Sequence, residues 1–109
     1  MSYVTNIILN LGLQGKKLEE VNQFFDGEKG FISCDDDSLP RGWYGGTKML
    51  EVDIAIGAFN YIDLDKIKQH IQNIKWEEPE DVQLLICDQE DNVFSIWTPT
   101  PITNEDNLK

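Results

Sequence analysis

The densest chemistry in this chain is two carboxylate runs: Asp35, Asp36 and Asp37 in succession, and Asp88, Glu90 and Asp91 around Gln89. A hard cation such as Ca²⁺ takes several oxygens, usually from a loop with a glycine placed for the turn. Neither run has the spacing or the glycine of such a loop, so no metal is expected. Both read as solvated turns whose charge suits an Arg/Lys patch on a partner protein. A second candidate set lies in RGWYGGTKMLE, with Arg41, Trp43, Tyr44, Lys48 and Glu51, and Asn60 further on. Gly45-Gly46 offers backbone N–H groups to a small anion between Arg41 and Lys48. Trp43 and Tyr44 offer stacking area. The stretch is no phosphate loop, because Thr47 separates Gly46 from Lys48 and a strand, not a helix, is expected to follow.

Conventional catalysis finds little to work with. His70 is the only histidine, and no neighbour in sequence is a nucleophile for it to activate. The serines lie outside any nucleophile-elbow setting. Glu51 and Asp53, two residues apart on an expected strand, would be neighbours able to divide acid and base roles. A small enzyme using Glu51, Asp53 or Asp88 with Lys48 is the third-ranked expectation. No catalytic residue is assigned and no cofactor is expected.

Twenty acidic residues against nine basic ones give a formal charge of −11 and a pI near 4.2. Such a surface repels nucleic acid and anionic membranes and attracts a basic protein. The N-terminus lacks a basic region, and Asn6 and Asn10 interrupt its apolar run, so neither a signal peptide nor a membrane span is expected and the protein reads as cytoplasmic. Cys34 and Cys87, without metal or redox spacing, read as buried free thiols.

The elements that must position these groups follow from periodicity. Tyr3–Leu11 alternates as a strand, and Leu18, Val21 and Phe25 recur at helical spacing before Asp26-Gly27. A short strand in GFISC precedes the acidic run. The stretch from Met49 to Ile62 reads as the best strand, with Leu50, Val52, Ile54 and Ile56 on its covered side. Asp63 caps a helix carrying Leu64, Ile67, Ile71 and Ile74, which is expected to run to the residues before Pro79. VQLLICD and VFSIW then form a hairpin. The order predicts an α+β fold: a ferredoxin-like β-α-β-β-α-β sandwich with an extra C-terminal edge strand and two helices on one face of an antiparallel sheet. Residues 1–98 form one domain, and 99–109 a loosely ordered tail. In this topology Cys34 and Cys87 lie too far apart for a disulfide. The helix-free sheet face is expected to be covered by Trp43, Tyr44, Phe59, Tyr61 and Trp97, or to pair with a second copy.

Several phrases recur together. Trp43, Gly45-Gly46, Lys48 and Glu51 are followed by Gly57, Asn60, Asp63-Leu64-Asp65, Trp76, Pro79 and Asp88-Gln89-Glu90. In this pattern the chain resembles a group of small uncharacterised (hypothetical) bacterial proteins. The resemblance implies a bacterial, cytoplasmic, single-domain protein and assigns no activity. The first expectation for function is therefore a non-enzymatic acidic module, most concretely an immunity or inhibitor protein for a basic toxin such as a nuclease. The alternative is a small-ligand sensor or accessory domain using the aromatic sheet face.

Overall fold

The structure is a computed structural model that describes residues 3–100. Its first strand, β1 (Val4–Asn10), buries Thr5, Ile7 and Leu9 on one side and leaves Val4, Asn6, Ile8 and Asn10 on the other. The chain leaves the strand at Gly12, whose φ of +62° suits glycine. The 3-10 turn Gly15–Lys17 leads into α1 (Leu18–Asn22), and a second 3-10 turn, Gln23–Phe25, ends the helical segment at Asp26. Next come β2 (Ile32–Ser33), a long loop, β3 (Ile54–Asn60), α2 (Leu64–Gln72), β4 (Gln83–Asp88) and β5 (Ser95–Trp97).

The five strands form one antiparallel sheet in the order β2-β3-β1-β4-β5. The fold is α+β, with both helices contributing to a single core. Val21 from α1 and Ile67 and Ile71 from α2 meet Ile7, Leu9, Leu84 and Ile86 from the sheet. Asp63 caps α2 as expected, its Oδ1 accepting from the Lys66 N–H at 3.1 Å. His70 ties the helices together, its Nε2 lying 2.8 Å from the Glu20 carbonyl oxygen, a packing role. Cys34 and Cys87 are buried free thiols. Cys87 is on β4, and Cys34 follows β2, on the far side of the β3–β1 pair.

Three expectations need correction. The third strand begins at Ile54. β1 has already turned away at Gly12, so Leu50 and Val52 find no neighbour to pair with and remain exposed in the loop. The faces of β3 are also reversed: Ala55, Gly57 and Phe59 point to the helices, opposite Leu9, Ile7 and Thr5. Phe59 stacks on Phe25 at 4.8 Å between ring centroids and meets Phe31 edge-on at 5.0 Å. The small side chains at 55 and 57 leave room for these rings. Ile54 and Ile56 are left on the helix-free side. Finally, α2 stops at Gln72 because the Trp76 indole N–H donates to the Ile71 carbonyl at 2.9 Å and turns the chain back early.

At the C-terminal end Pro99 is fully buried. Thr100 exchanges two hydrogen bonds with the Gln72 amide, at 2.7 and 2.8 Å. This pair therefore belongs to the domain and not to the tail, while 101–109 lie outside the described residues. Among the described residues no helix is long and apolar enough to cross a membrane.

Candidate functional site

The loop between β2 and β3 is built by local bonds. Asp36 accepts from the Ser38 N–H at 2.8 Å, and the bonds from Ser38 hold its carboxyl below the usual range. The Trp43 indole N–H donates to the Cys34 carbonyl at 2.7 Å, and the Tyr44 hydroxyl donates to Asp35 Oδ1 at 3.3 Å. The two rings meet edge-on at 6.0 Å. Both aromatics are thus brought back onto the acidic run that sequence had treated as a separate feature. Asp35, Asp36 and Asp37 are exposed, and Trp43 keeps 42% of its surface in solvent.

Asp35–Asp37, Arg41, Tyr44 and Lys48 all line one open cavity of about 630 Å³. The structure therefore brings half of the two predicted sets together and leaves Trp43, Glu51, Asn60, Asp88, Glu90 and Asp91 outside this cavity. Glu51 lies on an exposed bend, and Asp53 accepts from the Gly15 N–H at 2.9 Å. With neither residue inside a strand, the side-by-side carboxylate pair expected of an enzyme loses its geometric basis. Asn60 is elsewhere, at the far end of β3, with its Oδ1 accepting from the Tyr3 N–H at 2.9 Å. Burial and the adjacent Asp35 push the Cys34 thiol up, which disfavours the thiolate.

The second acidic run forms the β4–β5 turn, closed by the Asp91 N–H donating to the Asp88 carbonyl at 2.9 Å. Asp88 accepts from the Thr5 hydroxyl at 2.9 Å, and Gln89 Oε1 accepts from the Val4 N–H at 2.9 Å. Glu90 and Asp91 remain exposed. Desolvation, then Asp88, Glu90 and Asp91, hold the Tyr3 phenol above its ordinary value. The two runs stand at opposite ends of the sheet and three strands apart. Strand spacing and rise place them roughly 20 Å from each other. A single small ligand cannot touch both.

No family model, no curated protein and no solved structure matches the chain. The site therefore rests on its own geometry. Among the described residues no group of three or more His, Cys, Asp or Glu side chains is placed to hold a metal ion.

The helix-free face, expected from sequence to be aromatic or to pair with a second copy, has a different composition. The pairing register aligns Ile32, Ile56, Ile8, Leu85 and Ile96 in one row across all five strands, on the helix-free face. The aromatics expected there are elsewhere: Phe59 and Trp97 pack against the helix-side core, and Tyr61 lies beyond the end of β3. A groove of about 670 Å³ runs over this face, bordered by Lys29 and Phe94. Its signal was present in the sequence as Ile8, Ile56 and Leu85, each one residue out of step with the buried set. Only the register between strands shows that they form a continuous row.

Proposed function

We propose that the protein is a non-enzymatic binding module whose β2–β3 loop docks a basic protein. Its most concrete form is a bacterial immunity or inhibitor protein that neutralises a basic toxin such as a nuclease. One observation carries this reading: Asp35–Asp37 and the Trp43–Tyr44 pair share one exposed loop, joined by the hydrogen bonds to Cys34 and Asp35. Carboxylates steer and register a basic surface, while a half-exposed aromatic supplies the anchor that desolvates on contact. The turn at Glu90 and Asp91 extends the negative field without forming part of the same small site. The partner is a protein, with nucleic acid and membrane disfavoured by the charge of −11.

The strand order β2-β3-β1-β4, with helices between β1 and β2 and between β3 and β4, supports the ferredoxin-like reading, with β5 added at the edge. This arrangement frees the β2–β3 loop from core duty. A small cationic or zwitterionic ligand in the 630 Å³ cavity is the second reading, favoured by the mixed lining of Asp35–Asp37, Arg41 and Lys48.

The test is capture from the native cell on immobilised protein, followed by elution in rising salt. A basic protein should be retained, elute as salt screens the contact, and be lost when Asp35, Asp36 and Asp37 are all replaced by Asn. Recovery of no basic protein, or retention indifferent to salt, sinks the proposal. A thermal-shift screen of small amines and amino acids separates the second reading, since a ligand that binds the native state raises the melting temperature.

A further inference from the structure

The helix-free face is chemically unlike the rest of this molecule. Of the whole chain, 27% is Asp, Glu, Lys or Arg. Yet no strand residue that alternation and register direct to this face is charged. Its centre is the row Ile32–Ile56–Ile8–Leu85–Ile96. At its borders stand Asn6, Asn10, Asn60 and Gln83, all amides that both donate and accept. The hairpin adds exposed apolar surface on this side: Phe94 is 45% exposed and Ile96 63%.

We propose that this face pairs with the same face of a second copy of the chain. Three observations select that occupant. A basic partner of the kind the acidic loop attracts would find no carboxylate on these strands. A copy carrying −11 can approach another most readily where neither brings negative charge, and the strands of this face, which carry no charge and are bordered by Lys29, meet that condition. Amides and aliphatic side chains are self-complementary, as a two-fold interface requires, since it places the same patch on both sides. The 25 strand residues present roughly 400 Å² per copy at ordinary strand spacing and rise. With Phe94 the pair buries about 1,000 Å² in all, the lower edge of specific interfaces, so the dimer is a weak one, with Kd on the order of micromolar. β1 is the middle strand of five and Ile8 the middle of the row. A two-fold axis through the centre of the face therefore brings Ile8 over Ile8 of the second copy.

Sedimentation equilibrium of the reduced protein tests this. The expected species is twice 12.5 kDa, in a concentration-dependent equilibrium that tightens as salt screens the mutual repulsion, the opposite of the salt effect on a basic partner. Ile96→Asp should weaken association at least about tenfold. Met49→Asp is the matched control: the same charge change at a similarly exposed apolar residue (64%) on the β2–β3 loop, off this face. It should have a clearly smaller effect. Ile32→Asn, at the other end of the row, repeats the test should the hairpin variant lose its fold by circular dichroism. A wild-type monomer at all concentrations up to about 100 times a micromolar Kd overturns the proposal. So does equal weakening by Ile96→Asp and Met49→Asp. A monomer that takes up an apolar dye, lost on Ile96→Asp, also overturns it and assigns the face to a small apolar ligand.

Discussion

Trp43 decides whether the acidic loop is a surface or only a connection. Its indole N–H reaches the Cys34 carbonyl at 2.7 Å, the shortest side-chain tie between the loop and the edge of the sheet. Replacing Trp43 with Phe keeps a ring and removes the donor. It should cost about 0.5–1.5 kcal/mol in urea unfolding, because the Cys34 carbonyl loses its partner. Trp76 and Trp97 remain to report the transition by fluorescence. An unchanged midpoint would show that this bond does not hold the loop. The aromatic types and their nearness to Arg41 and Lys48 were legible in sequence. That Trp43 and Tyr44 fold back onto Asp35 was not, since the bonds span nine residues through irregular backbone.

At the scale of elements, the reversed faces of β3 carry the main lesson. Alternation correctly marks a strand through Ile54–Asn60, and the larger aliphatics argue for Ile54 and Ile56 inside. Packing decides otherwise, because Phe25, Phe31 and Phe59 together fill the space above Gly57. A Cβ at Gly57 would lie 2.3 Å from the Phe59 ring and 3.3 Å from Phe31. Gly57→Ala should therefore destabilise by about 1–3 kcal/mol, despite the usual advantage of alanine over glycine in a strand. Thermal unfolding of the variant reads this directly, and a stability equal to or above wild type would contradict the packing described. The neighbouring Ala58 points to the helix-free face, so Ala58→Ser meets none of these rings and serves as the comparison at a protein concentration too low for dimer formation.

For the whole molecule, charge dominates. Lys17–Glu20 is the single salt bridge among the described residues, at 3.4 Å, against a net −11. Self-repulsion in the compact state therefore outweighs pairing. Raising sodium chloride from about 20 to about 500 mM shortens the Debye length from roughly 20 Å to under 5 Å. Calorimetry should show a higher melting temperature at the higher salt. A fall would mean that attractive pairs outweigh the repulsion. The comparison is made at the lowest measurable concentration, so that dimer formation does not contribute to the shift.

The sequence by itself determined the α+β class, the order of strands and helices, the Asp63 cap, the buried free thiols and the acidity. These follow from local periodicity, capping chemistry and composition, which neighbours in the chain supply. Only the tertiary structure decided which side of β3 meets the helices, where α2 ends, and that Pro99 and Thr100 dock on the domain. It alone brought the Trp43–Tyr44 pair onto Asp35–Asp37 and aligned five aliphatic residues across an uncharged face. Each of these depends on contacts between segments distant in sequence. There, close packing and strand register choose among arrangements that local patterns leave equal.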